Sequence, residues 1–230
     1  MKYKHIYFDL DRTLWDYDAN AGQAFQIIFE EYRLDQHFPD AVEFFRIFNI
    51  YNDVVWEEYR QGSMTKEVLR EKRFELTLAD RGISDKELAA RIGERYMYLT
   101  PRQNILAPGT TEVLDHLSKC GCRLYILTNG FSATQYNKMS NSGILHYFDR
   151  TFSSEEIGIN KPKPEIFHWA VTSVNALKKE CLMVGDDLEV DVRGAMNYGI
   201  DTAWYNPAGI TSELIPTYTI RDLRELIQVL

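Results

Sequence analysis

Asp9 and Asp11 stand two residues apart where the apolar run Ile6-Tyr7-Phe8 ends, and Thr13-Leu14 follow them. A carboxylate inside a buried strand costs several kcal/mol unless it is paired or bound to a metal. Just past the end of such a strand it meets solvent or a ligand instead. The spacing of two starts both side chains on one side of the chain. Two close like charges favour a cation between them, and hard oxygen donors suit Mg²⁺. The chemistry on offer is a nucleophilic carboxylate beside an acid–base carboxylate at a metal. Taken alone, the same pair also reads as two surface aspartates in a turn.

Three further places carry chemistry-bearing residues. Thr128 offers a hydroxyl and Asn129 an amide and a backbone N–H, with a helix start near Ser132, a combination suited to phosphate oxygens. Lys161 opens the stiff turn Lys161-Pro162-Lys163-Pro164, where a fixed ammonium can serve as a point charge toward an anion. Asp186, Asp187 and Asp191 crowd one loop and helix start, which holds together only with a cation or a helix N-terminus nearby. Each has a plainer reading as turn or surface residues.

Residues 5–8, 123–127, 148–153, 181–184 and 202–205 read as buried strands, with a short sixth near Tyr218. Residues 109–120, 132–142, 164–174, 189–198 and 222–229 read as helices between and after them. Strands alternating with helices imply right-handed crossovers and an α/β, doubly wound parallel sheet. Asp9/Asp11, Thr128/Asn129 and Asp186/Asp187 each lie just beyond a buried strand, so such a sheet sends all three pairs to one crevice.

Residues 16–100 hold no strand pattern. Four helices are expected at 18–32, 40–59, 65–80 and 84–98, with Val42, Phe45, Phe48, Val55 and Tyr59 facing inward on the second. Ser63 or Thr65 caps the third, Gly82 ends it, and Ser84-Asp85-Lys86-Glu87 starts the fourth as a capping box. Short connections imply a four-helix bundle inserted into a sheet domain made of residues 1–15 and 101–230. Two linkers, one at residues 15–18 and one between Pro101 and Pro108, form a hinge in this reading. Aromatic residues from Phe44 to Tyr98 are read as bundle core and its edge rather than a base-stacking surface.

Composition sets limits. At 230 residues, 45% hydrophobic and 26% charged, the chain is an ordinary globular protein with room for a core. A net charge of -8 argues against binding a nucleic-acid polymer. No apolar run approaches the ~18 residues of a membrane span, and no signal-peptide pattern opens the chain. Cys120, Cys122 and Cys181 read as free thiols, which places the protein in the cytoplasm.

The order D-x-D at Asp9 and Asp11, T-N at Thr128 and Asn129, K at Lys161 and G-D-D-x-x-x-D from Gly185 to Asp191 resembles the four motifs of the haloacid dehalogenase (HAD) superfamily. The resemblance covers the whole chain, since the inserted helices look like that superfamily's cap. It implies a phosphohydrolase. Asp9 would attack phosphorus and form an aspartyl-phosphate, and Asp11 would protonate the leaving alcohol and then activate water. Asp9, the backbone carbonyl of Asp11 and Asp186 would hold Mg²⁺. Thr128, Asn129 and Lys161 would bind the phosphoryl group, with Asp187 and Asp191 behind the ligands, Asp187 either touching the metal through water or capping the helix. Leu127-Thr128-Asn129-Gly130-Phe131 and Glu155-Glu156-Ile157-Gly158 are similar to the bacterial pyrimidine 5′-nucleotidase subgroup. The implied partner is a small phosphomonoester, on a monomer or homodimer. A sugar-phosphate phosphatase or phosphomutase would use the same residues. A dehalogenase needs neither Asp11 nor a metal, and a phospho-accepting receiver orders its motifs differently.

Overall fold

The segments richest in β-branched and aromatic residues form the sheet. In a computed structural model describing residues 2–229 they are β1 (His5–Phe8), β2 (Arg123–Thr128), β3 (Arg150–Ser153), β4 (Cys181–Gly185), β5 (Asp201–Tyr205) and β6 (Tyr218–Ile220). They form one sheet of order β3-β2-β1-β4-β5-β6, with every neighbouring pair parallel. This is the doubly wound order whose direction of winding reverses at β1. Phe8 lies opposite Ile126 on one side and Val184 on the other. The register therefore sets Asp9 level with Leu127 and Gly185, and the Asp9 N–H closes the ladder on Val184 O at 2.9 Å.

The chain divides into two compact units, Met1–Tyr17 with Asn104–Leu230, and Asp18–Gln103. The second unit is built from α1 (Tyr17–Glu31, whose first residue belongs to the other unit), α2 (Ala41–Arg60), α3 (Lys66–Ala79) and α4 (Lys86–Leu99). Its centre is the Phe25 ring. Phe44, Phe45 and Phe48 lie 4.7–4.9 Å from it, and Tyr96 closes the cluster at 5.6 Å. Asp40 caps α2, Thr65 caps α3 and Asp85, not Ser84, caps α4 by accepting from Leu88 N. Val42 does not face inward: it is 75% exposed, and the buried stripe of α2 runs through Ala41, Phe44, Phe48, Asn52 and Val55. A first-turn valine could serve either of two adjacent stripes, and the Phe44 and Phe48 rings settle which one is buried.

In the first unit α5 (Thr110–Lys119), α6 (Ser132–Asn141), α7 (Ser154–Ile157), α8 (Pro164–Thr172), α9 (Gly194–Tyr198) and α10 (Leu226–Val229) flank the sheet. One face of the sheet packs Tyr7, Tyr125, Leu127 and Met183 against Ile166, Phe167 and Ala170 of α8. The helix expected at 189–198 begins as a π-helical segment, Leu188–Arg193, before α9. The linkers into and out of the second unit lie side by side. Asp16 N donates to Ile105 O and Ala107 N to Leu14 O, and Trp15 bridges Leu106. Cys120, Cys122 and Cys181 are free thiols. No helix among the described residues is long and apolar enough to cross a membrane.

Phe25→Ala removes the ring on which the second unit converges. It is expected to cost ~3–5 kcal/mol, read as a loss of hydrogen-exchange protection across the α2 amides. Unchanged protection there would show that the ring cluster does not hold this unit together.

Candidate active site

β1 ends in a single tight turn. Leu10 O accepts from the N–H groups of Thr13, Leu14 and Trp15, and Arg12 takes a left-handed conformation with φ 63°. The turn carries Asp9 and Asp11 away from the strand and buries Thr13 completely. Thr13 Oγ1 donates to Asp186 Oδ1 at 3.1 Å and accepts from Asp186 N at 3.1 Å, joining the ends of β1 and β4. Trp204 Nε1 donates to Asp186 O and fixes that loop from β5.

Lys161 sits at the centre, 1% exposed. Its ammonium donates to Asp9 Oδ1 at 2.7 Å, Leu127 O at 2.7 Å and Asp191 Oδ1 at 2.6 Å. An ammonium has three donors, so this set uses all of them. An anion placed nearby would therefore meet the charge of Lys161 rather than a hydrogen bond from it. Burial works against the Lys161 ammonium, but Asp191 and Asp9 outweigh it and raise its pKa above the ordinary lysine value. Asp191 folds back to this position because Gly185 has no side chain: a Cβ there would lie 2.2 Å from Asp191 Oδ2.

Asp9, Asp186 and Asp191 each bring a carboxylate oxygen within 4.8 Å of the others. Burial pushes the Asp9 carboxyl up to about 7, with Lys161 opposing and Asp191 and Asp11 adding to the rise. Burial, then Asp191 and Asp9, likewise hold the Asp186 carboxyl well above the carboxylate range. Three carboxylates against one ammonium leave two negative charges, the deficit a divalent cation fills. Hard oxygen donors in this number fit Mg²⁺.

Not every expected role matches where the side chain lies. Asp11 is not among the three convergent carboxylates. The metal role expected of it belongs to its main-chain oxygen, and its side chain accepts from Gln135 Nε2 at 3.0 Å and Lys138 Nζ at 2.5 Å. Asp191 brings a carboxylate oxygen to the cluster while accepting from Lys161 Nζ and Asp187 N. Of the two roles open to Asp187 the structure shows the cap: it accepts from Glu189 N and Val190 N at the start of the π-helical segment. The Asn129 side chain clasps the Lys161 main chain. Its Nδ2 donates to Lys161 O and its Oδ1 accepts from Lys161 N. Thr128 Oγ1 accepts from Gly130 N at 2.9 Å and Gln135 Nε2 at 2.8 Å, which fills both lone pairs and leaves its proton to donate. Gln135 and Lys138 were not singled out from the sequence. The available signal was two long polar residues one turn apart on the helix after Thr128-Asn129.

A family model described as haloacid dehalogenase-like hydrolase matches residues 3–199. The chain belongs to that family. Among HAD-family relatives, the HAD-hydrolase YfnB of Bacillus subtilis is 31% identical over 100% of this chain and 96% of its own. The pyrimidine 5′-nucleotidase YjjG of Escherichia coli is 33% identical over 100% of this chain and 99% of its own. PynA of Streptococcus pneumoniae, also named a pyrimidine 5′-nucleotidase, is 30% identical over 100% of this chain and 96% of its own. A crystal structure of YfnB described as bound to magnesium matches this fold with a TM-score of 0.89, at 30% identity, over 100% of this chain and 99% of that one.

The raised carboxyls set two signs. Without metal the native state holds more protons than the unfolded chain, so stability falls as pH rises from the ordinary carboxylate range toward neutrality. Metal competes with those protons, so its stabilising effect grows over the same interval. In chelator at neutral pH, Asp186→Asn is expected to melt above the parent. Each ~1 kcal/mol of relieved repulsion is worth ~2–4 °C for a chain of this size. With saturating Mg²⁺ the order reverses. Differential scanning fluorimetry checks both, and a variant that melts below the parent in chelator would contradict the charge argument.

Proposed function

We propose that this chain is a Mg²⁺-dependent phosphomonoester hydrolase that works through an aspartyl-phosphate on Asp9, with nucleoside 5′-monophosphates as substrates. The observation that carries the reaction class is the convergence of Asp9, Asp186 and Asp191 around Lys161 at the end of β1 and β4. The substrate class is supported by two relatives named pyrimidine 5′-nucleotidases that align with the whole chain.

The residues divide the work as follows. Lys161 holds Asp9 Oδ1 and so fixes the plane from which the carboxylate meets phosphorus. Asp9 displaces the alcohol, and Asp11 gives the leaving oxygen its proton. In the second half Asp11 takes a proton from water, which attacks the acyl phosphate and frees Asp9. Thr128 donates its hydroxyl proton to a phosphoryl oxygen. Asp9, Asp186 and the main-chain oxygen of Asp11 would hold Mg²⁺, with Asp191 adjacent, and the ion supplies charge neutralisation for a phosphate dianion.

Asp9→Asn is expected to lower turnover of p-nitrophenyl phosphate by at least ~10³-fold, as loss of a covalent nucleophile does, with an unchanged circular-dichroism spectrum. Retained turnover removes Asp9 from that role. Chelation should silence the parent and Mg²⁺ restore it. A panel ranked by kcat/KM should place uridine and thymidine monophosphates above ribose 5-phosphate and glucose 6-phosphate. If the sugar phosphates rank first, the substrate assignment is wrong while the reaction class stands.

A further inference from the structure

Gln135 and Lys138 are three residues apart on α6 and so share one face of that helix. Gln135 is fully buried and Lys138 is 5% exposed. Between them they take both oxygens of the Asp11 carboxylate, Gln135 Nε2 on Oδ2 at 3.0 Å and Lys138 Nζ on Oδ1 at 2.5 Å. The Lys138 ammonium is boxed from another side by the Trp15 ring, 4.4 Å from its centroid, and Trp15 is itself fully buried. The same Gln135 nitrogen reaches Thr128 Oγ1 at 2.8 Å. Gly130 makes room for that reach: a Cβ there would lie 2.2 Å from Gln135 Nε2 and 2.5 Å from its Cδ.

Stability alone does not account for this arrangement. Taking an ammonium out of water costs more than a half-exposed partner returns. The Lys138 side chain is 6% exposed, while that of Asp11 is 31% exposed and could stay hydrated without it. An apolar side chain of the same length would fill the place beside Trp15. What the pair adds is direction. Two donors on two oxygens fix the plane of the carboxyl, and each oxygen still keeps a lone pair able to carry a proton.

We propose that Gln135 and Lys138 are positioning residues that lock the plane of the Asp11 carboxyl, with Gln135 tying that plane to the Thr128 hydroxyl. This rests on the reading of Asp11 as the acid–base group. A proton donor must lie within hydrogen-bond reach of the leaving oxygen, and an error of ~1 Å is worth ~10²-fold in rate. A group bonded to both Asp11 and Thr128 sets the distance between the proton donor and the phosphoryl site.

The test compares two esters that differ in their need for a proton. p-Nitrophenolate leaves without protonation, whereas the alcohol of a nucleoside monophosphate or another alkyl phosphate does not. Wild-type turnover of both with Mg²⁺ is measured first and tests the phosphatase reading by itself. In single-turnover experiments Lys138→Met is then expected to slow phosphorylation by the alkyl ester by ~10–10²-fold. The aryl ester should change less than ~3-fold, the KM of either ester should stay within ~3-fold, and Lys138→Arg should recover part of the loss. Gln135→Met should shift the two esters in the same unequal way and carries the test if Lys138→Met does not fold. Equal losses on both esters, a change confined to KM, or no change would overturn the proposal.

Discussion

A single buried ammonium joins the parts of this molecule that chemistry needs together. Lys161 bonds to Asp9 at the end of β1, to the Leu127 carbonyl near the end of β2, and to Asp191 beyond β4. Parallel strands leave their carboxyl ends unpaired, and those ends repel one another once they carry aspartates. A lysine with three donors and almost no exposure answers both problems at one point. Such a group is sensitive to its partners, because removing one leaves an uncompensated charge in a desolvated place. The requirement reaches back into the chain. Gly185 must lack a side chain for Asp191 to arrive, and Asn129 must clasp the Lys161 main chain from both sides.

The sheet also explains why the site needs so few residues from each segment. Phe8, Ile126 and Val184 stand in one row, so the residues just after them emerge at one height. Thr13 then staples the β1 turn to the β4 loop through both a carboxylate and a backbone N–H. The acidic groups are held close against their own repulsion by ladder geometry and by buried hydrogen bonds. That is the state in which a divalent ion gains most by binding.

Much of this was legible in the sequence, for a physical reason. A carboxylate at the end of an apolar β-branched run has only one place to be, so Asp9 and Asp186 could be found by where the hydrophobic pattern stops, and Lys161 by the stiff proline turn that it opens. The residues read less well all depend on side-chain direction. Asn129 sits at a strand end like Thr128, yet its amide turns to main chain. Asp187 caps the π-helical segment and Asp191 lies within it four residues on, and only the second folds under the strand, through the gap left by Gly185. Gln135 and Lys138 lie on a helix whose polar residues look like a solvated face until the helix is docked. Val42 and the capping of α4 differ for a related reason: the choice between adjacent helical stripes, or between neighbouring cap residues, is made by packing and a single hydrogen bond.

The side-by-side pairing of Leu14–Asp16 with Ile105–Ala107 has an architectural consequence. The long excursion of residues 18–103 departs and returns through one doorway, stitched shut by main-chain bonds that belong to the sheet unit. Chain length and content beyond that doorway can therefore vary freely without shifting strand alignment. A lineage built this way can exchange the inserted segment while inheriting the sheet and the residues at its strand ends.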